Sequence, residues 1–321
     1  MLIEIRNYRQ DDLEPIVTLH NAADTYDGTK EGTSIEETRE LISSPDFHPE
    51  KNFFVVEADG RVVGYATLRM FKGKAESSFR TWYQVHPRER GRGIEEQLLT
   101  RLYARAEESL VNCDSPIVDF FSQSNLVDRE RIAILERFGL CEARRFWQMV
   151  RVSLDNLPAP ILPRDIAARP YRVQVDDEGV NVAINEAFRD HWGHTDDPLE
   201  QWRHFVSLPM FQPKLTIVAE HAHSREIAGV CIILVNDKEN ARLGIKRGWI
   251  EILGVLRPYR NHGLGTALLI AGMHNLHNAG MQQAALGADS ENLTGATRLY
   301  ERVGFTIAKT RVAYRKRMRG A

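Results

Sequence analysis

The chain has 321 residues, of which 43% are hydrophobic, enough for two ordinary cores rather than one. Its 42 Lys and Arg against 44 Asp and Glu leave a formal charge of -2, which argues against a general nucleic-acid binder. No run approaches the ~20 apolar residues of a membrane span. The opening segment, M-L-I-E-I-R-N-Y-R, lacks a long apolar stretch, so no signal peptide is expected, and Cys113, Cys141 and Cys231 have neither metal-ligand spacing nor an even disulfide count. The expectation is a cytoplasmic protein with reduced thiols, no metal, no nucleic acid and no membrane; its oligomeric state is not encoded legibly.

In chain order, Phe53–Glu57 and Val62–Ala66 flank Asp59-Gly60, a hairpin signal. Val85 ends a further strand. It leads into His86-Pro87-Arg88-Glu89-Arg90-Gly91-Arg92-Gly93-Ile94-Glu95, after which Leu98-Leu99 open the buried face of a helix. Asn125 to Leu140 reads as a second helical stretch closed at Gly139. Leu157–Pro163 carries prolines at 158, 160 and 163, with Pro170 shortly after, and fits an extended linker.

The second half repeats these signals. Val182 to Arg189 is helix-like and runs into Asp190-His191-Trp192-Gly193-His194. Leu215–Glu220 and Ile227–Cys231 form another hairpin pattern. The apolar strand Ile250–Val255 enters a turn that closes as Arg260-x-x-Gly263-x-Gly265, and Ala267-Leu268-Leu269-Ile270 begin an apolar helix. Glycines let backbone approach a ligand closely, and unpaired amides at a helix start point at an anion. Asn292…Leu299-Tyr300-x-x-x-Gly304-Phe305 then gives a helix with Asn292 as its cap, Gly304 as a left-handed end and Phe305 opening a strand. The offset between matching landmarks is roughly 160 to 170 residues, which indicates a domain duplication. Arg315–Arg319 reads as a solvated tail of the last strand.

The Arg260/Gly263/Gly265 loop and the Asn292…Phe305 segment resemble the GNAT superfamily of acyl-CoA-dependent N-acyltransferases. The resemblance implies an α/β fold (an α+β mixed sheet): two tandem domains, each a mixed sheet splayed near its middle, where a pantetheine arm slots in. The expected division is residues 1–154 as a degenerate domain, 155–168 as a Pro-rich linker and 169–321 as the catalytic domain. A better-preserved second copy is similar in layout to the mycothiol synthase family.

The two copies are not equivalent. Superposing Leu98-Leu99 on Leu268-Leu269 puts Arg90 on Arg260, Gly93 on Gly263 and Glu95 on Gly265, so a carboxylate stands where a diphosphate would approach. The literal Arg-x-x-Gly-x-Gly pattern that starts at Arg88 gives a rival register with the cradle intact. Leu135 falls where Tyr300 lies in the other copy.

Transfer of an acyl group from a thioester to an amine requires a positioned donor, a deprotonated amine, stabilised carbonyl oxygen and a protonated leaving thiolate. The amides of His262, Gly263, Leu264, Gly265 and Thr266 are candidates for the diphosphate, with Arg260 in the same loop and Asn292 in the second motif. Backbone at Leu253 and Val255 would pair with pantetheine, by analogy with the superfamily. Strand alternation puts Trp249, Glu251 and Leu253 on one face, which makes Glu251 a candidate base or, alternatively, the partner of an arginine on a neighbouring strand. Tyr300 is the acid that the resemblance implies; a core tyrosine is the alternative. Cys231, without a nearby His or Asp in sequence, is core filler rather than an acyl carrier. Asp190–His194 and Trp202 could wall an acceptor site, with surface or core packing as the alternative and metal binding by the two histidines a weaker one. The expected donor is acetyl-CoA and the expected acceptor a small-molecule primary amine. Protein or peptide N-acetylation, or a non-catalytic acyl-CoA sensor or scaffold, are the other readings.

Overall fold

The computed structural model describes residues 3–292 and 295–320. Along the chain run β1 (Ile3–Asn7), α1 (Leu13–Asp27), α2 (Ile35–Ile42), α3 (Pro49–Asn52), β2 (Phe53–Ala58), β3 (Arg61–Phe71), β4 (Glu76–Val85), α4 (Ile94–Ser109), β5 (Ile117–Asn125), α5 (Arg129–Arg137) and β6 (Cys141–Arg151). They are followed by β7 (Ile166–Pro170), α6 (Asp177–Phe188), α7 (Leu199–Ser207), β8 (Ile217–His221), β9 (Ile227–Leu234), α8 (Asp237–Leu243), β10 (Arg247–Val255), α9 (Leu264–Asn278), β11 (Gln283–Asp289), α10 (Ala296–Arg302) and β12 (Thr306–Arg319).

The chain divides into two compact units, Met1–Arg144 with Arg311–Ala321, and Arg145–Thr310. In the first, β1, β2, β3, β4 and β5 follow one another across the sheet and Arg311–Arg319 of β12 lies antiparallel on β5. In the second the order is β7, β8, β9, β10, β11 and then Phe146–Arg151 of β6, antiparallel on β11. Only β4 with β5 and β10 with β11 are parallel. Both sheets are therefore mixed, as expected.

These bounds depart from a simple cut near the prolines. Residues 145–154 pack in the second unit and 311–321 in the first, so each unit is finished by a strand from the other half of the sequence. The basic C-terminus is correspondingly no solvated tail. Arg317 donates to Asp119 on β5, which is 5% exposed, and Arg319 donates to the carbonyls of Leu110, Cys113 and Ser115. A buried carboxylate requires a cationic partner, and the charges of this strand satisfy buried acceptors rather than water.

Local chemistry explains the elements. Asp59 and Gly60, both at positive φ, turn the β2–β3 hairpin, and α2 begins with a reciprocal Ser34–Glu37 capping box. Gly139 and Gly304 both take left-handed φ, +87° each, just beyond α5 and α10. α9 buries Leu264, Leu268, Leu269 and Met273 against Cys231, Ile233 and Ile250 on one face of the second sheet; α6 and α7 cover the other through Val180, Trp202 and Val206.

Deleting residues 311–321 is expected to speed amide hydrogen exchange along Ile117–Asn125, whose ladder loses its partner, while α9 and β10 stay protected. Loss of protection in α9 and β10 instead would contradict this exchange of strands.

Candidate active site

The second unit leaves its central ladder unfinished. β10 and β11 pair from Arg247–Gln283 to Trp249–Ala285 and then stop, although β10 runs on to Val255 and β11 to Asp289. A bulge at Glu251, between Ile250–Ile233 and Ile252–Ile232 of the β9 ladder, bends β10 at the same place. The bulge also changes which residues share a face. Leu253 packs with Ile250 in the cluster under α9, and Ile252 packs with Trp249 on the α6 side. The strict alternation that grouped Leu253 with Trp249 is thereby overturned, because one extra residue inverts strand parity.

At the end of β10 the chain makes a short turn through Arg257–Tyr259, and Gly263 (φ +83°) begins α9. The amides of His262, Gly263, Leu264, Gly265 and Thr266 have no protein acceptor among the described residues; the first intrahelical bond is Ala267 to the Gly263 carbonyl. Such donors at a helix start form an anion cradle. Gly265 has no positive φ, and a Cβ there would make only ordinary 3.7 Å contacts with Leu299 and Val255. Protein packing therefore does not demand a glycine at this position. Arg260 faces inward: Nε donates to the Val255 carbonyl at 3.0 Å and Nη2 to the Ala187 carbonyl at 2.9 Å, so its side chain straps the loop to β10 and α6.

Glu251 has no hydrogen-bond or ion-pair partner among the described residues, so the alternative of a neighbouring-strand arginine is not what the fold provides. Solvent reaches its side chain, yet protein crowds it on most sides, and this desolvation raises its pKa above the ordinary carboxylate range. Tyr300 is 8% exposed, and its hydroxyl likewise has no hydrogen-bond partner among the described residues. Burial pushes the phenol up to about 12, which keeps its proton in place at neutral pH. Tyr300 shares an apolar cluster with Leu264 and Leu268, against which Leu253 and Val255 also pack. Cys231 is fully buried and its thiol is pushed up to about 12 by desolvation, so it is unsuited to carry an acyl group.

Asn292 is not the cap of α10, which starts at Ala296 behind Gly295; instead its amide donates to the Asp289 carbonyl in the turn after β11. Leu293 and Thr294 of the same motif lie outside the described residues. The segment after α6 contributes His191, 4.3 Å from the Phe188 ring, and Trp192, whose ring lies 6.0 Å from that of Phe146. Burial lowers the His191 pKa, and the nearby Asp289 carboxylate opposes that shift. Trp202 is core, donating to the Tyr171 hydroxyl. Phe146, Gly287 and Asp289 escaped sequence reading. Gly287 is exposed in the middle of β11, and a Cβ there would meet nothing within 4 Å, which marks open space above the strand. Among the described residues no group of three or more His, Cys, Asp or Glu could hold a metal, and no helix is long and apolar enough to cross a membrane.

The first unit carries the same frame with the space filled. Gly93 (φ +76°) begins α4 as Gly263 begins α9, and Arg90 Nε donates to the Val85 carbonyl as Arg260 does to Val255. This fixes the Arg90 register and leaves Glu95 opposite Gly265. Glu95 is 5% exposed, and burial raises its pKa, opposed in part by hydrogen bonds from the backbone of Glu95 and Gly91; its Oε2 has no partner among the described residues, and the side chain occupies the loop from within. The β4–β5 ladder ends at Thr81–Ser122, and beyond it Arg131 bridges the parted strands. Its Nε donates to the Gln123 carbonyl and its Nη1 to the Tyr83 carbonyl, each at 2.8 Å. Ala296 holds the position of Arg131 in α10, counted back from the paired glycines Gly139 and Gly304.

The comparisons with known proteins point to one family. The Acetyltransferase (GNAT) family profile matches residues 15–126 and 179–305, one stretch in each half. A mycothiol acetyltransferase from Parafrankia sp. is 29% identical, with 96% of each chain covered, and one from Thermobispora bispora is 32% identical over 72% of this chain and 74% of its own. A GCN5-related N-acetyltransferase from Sphaerobacter thermophilus superposes with a TM-score of 0.79 at 26% identity, covering 99% of this chain and 97% of that one. A tandem GNAT protein from the clavulanic acid biosynthesis pathway shares the fold over 98% of both chains, with a TM-score of 0.69 at 17% identity. The chain belongs to the GNAT acetyltransferase family. It is an N-acyltransferase of tandem architecture, in a family that takes its acyl group from an acyl-CoA.

The raised pKa of Glu251 has a consequence for stability. The folded carboxyl holds its proton to higher pH than the unfolded one, so this group's contribution falls as pH rises from the unfolded value through the folded value. Glu251→Gln is expected to raise Tm at about pH 8, with the gain shrinking toward about pH 4, where both states are protonated. A Tm lowered at about pH 8 would show that the carboxylate stabilises the fold.

Proposed function

We propose that the second unit transfers an acetyl group from acetyl-CoA directly to the primary amine of a small molecule. The single observation that carries this is the run of unpaired amides from His262 to Thr266 beside the unfinished β10–β11 ladder, both left unfilled in this unit while the first unit fills both. These amides would bind the diphosphate, with Gly265 leaving room for it. The exposed backbone of Leu253 and Val255 would hold the pantetheine arm as an added strand. Arg260 acts as a strap that keeps the loop in place, and Asn292 would add a further contact to the donor.

The donor supplies an activated thioester; the chain supplies proton management and positioning. Glu251 removes a proton from the acceptor ammonium, directly or through water, and its raised pKa brings it closer to the range where a general base works at neutral pH. Tyr300, with its proton held and its hydroxyl unengaged, returns a proton to the leaving sulfur. By analogy with the superfamily, the amide of Val255 would polarise the thioester carbonyl. Asp289 neighbours Phe146 and His191, and Phe146 neighbours Trp192; these residues would face the acceptor, a mixture suited to a cationic amine on a small organic scaffold. The near full-length likeness to a protein named mycothiol acetyltransferase supports a small-molecule acceptor over a protein N-terminus.

Thiol release from acetyl-CoA over an amine panel tests the reading; binding without turnover on any amine would favour a sensor. Tyr300→Phe should lower kcat roughly 100-fold with little change in acetyl-CoA affinity, and full activity in the variant would remove Tyr300 from the chemistry. Glu251→Gln should abolish the acid limb of the kcat/KM profile, which is displaced above the ordinary carboxylate range in the native enzyme. An unchanged acid limb would assign it to another group. Gly265→Glu, which reproduces the first unit's residue, should weaken coenzyme A binding by roughly 100-fold.

A further inference from the structure

The first unit contains a cavity of about 280 Å3 bounded by α1, α2 and the sheet. This is slightly below the ~300–1,000 Å3 of sites for drug-sized ligands, so its occupant is small. Its walls are largely apolar and aromatic, with Ile42, Phe47, Phe53, Tyr65 and Trp82 among them. Most polar groups on the wall are engaged by the protein. The Nε2 of His20 lies 3.0 Å from the Glu31 carbonyl, which can only accept, so Nε2 carries the hydrogen and Nδ1 accepts from the Tyr65 hydroxyl at 2.7 Å. The Glu31 carboxylate accepts from Arg311 at 2.6 Å.

Arg69 is the exception. It lines the cavity, lies over the Phe47 ring at 4.8 Å and donates one N–H to the Leu41 carbonyl at 2.6 Å. Among the described residues no carboxylate is within ion-pair distance; Asp46 acts on it only from further away. A partly buried guanidinium without a counter-ion, facing an aromatic cavity, is costly for the free protein. It offers a planar fork of donors that matches a carboxylate. One such cation balances one negative charge, and Glu31 on the same wall disfavours a dianion such as a phosphate monoester.

We propose that this cavity is a binding site for a small monocarboxylate with an apolar, preferably aromatic, body, whose carboxylate pairs with Arg69 while its body stacks among Phe47, Phe53 and Trp82. Since Glu95 and Arg131 close the donor cradle and slot of the same unit, the site binds its ligand without acyl transfer.

Calorimetric titration of the full chain with hydrocinnamate and with hydrocinnamamide, its uncharged amide, tests the assignment. The carboxylate should bind at a single site, with the amide at least roughly tenfold weaker. Arg69→Met should lose that preference, Arg69→Lys should retain part of it, and the exposed Arg61→Met on the same strand should bind as the native chain does. Thr67→Phe, which fills the cavity from β3, should abolish binding even if the Arg69 variants fold poorly. Equal affinity for acid and amide would overturn the proposal, as would binding undiminished in Thr67→Phe, or no binding by hydrocinnamate, benzoate or indoleacetate. Neither acetyl-CoA nor turnover enters the measurement, so its failure would leave the reading of the second unit untouched.

Discussion

A parallel strand pair that stops hydrogen bonding before either strand ends leaves main-chain donors and acceptors that must find partners elsewhere. Much of what distinguishes the two halves of this protein follows from how that requirement is met. Where β4 and β5 part beyond Thr81 and Ser122, the guanidinium of Arg131 reaches both edges and satisfies a carbonyl on each. Where β10 and β11 part beyond Trp249 and Ala285, α10 presents Ala296 at the matching place and the edges stay open. The fold thus contains one interruption bridged by its own side chain and another that no side chain bridges among the described residues.

The adjoining helix starts repeat the contrast. Glu95 folds back on the backbone of its own loop and fills the first cradle, while Gly265 leaves the second with a run of free donors. Open polar backbone, a partly desolvated Glu251 and an unengaged Tyr300 hydroxyl all cost stability in the free protein, and all three lie in the second unit. Each unit is completed by a strand from the other half of the sequence: Phe146–Arg151 pairs with β11 in the second unit, and Arg311–Arg319 pairs with β5 in the first. The paired Asp119–Arg317 charges and the buried Val312 and Tyr314 tie this exchange to core packing.

Much of this was legible in the sequence. The duplicated hairpins, the strand–turn–helix at Val255–Leu264 and the Tyr300–Phe305 segment sit as their patterns indicate, because turn glycines and apolar periodicity are local signals. Helix phase at Leu98-Leu99 also chose Arg90 over Arg88 correctly, since that phase is set by burial and not by the glycine pattern. What sequence could not show depended on distant partners. The bulge at Glu251 leaves no compositional trace, and it inverted the faces assigned to Ile252 and Leu253. The charges of Arg315–Arg319 look solvated until Asp119 is placed beneath them. Arg131 reads as an ordinary helix cation until the two carbonyls it bridges, Tyr83 and Gln123, are brought together by the splay. Asn292 precedes its helix by too many residues to cap it, and Gly295 takes that position.

The most direct measurement of the central claim is hydrogen–deuterium exchange of the full chain with and without coenzyme A, resolved over the two loops. Slowed exchange across residues 262–266 and along β10, with residues 91–97 and 82–85 unchanged, is the predicted result. Protection appearing at residues 91–97 while residues 262–266 exchange as in the free protein would contradict it.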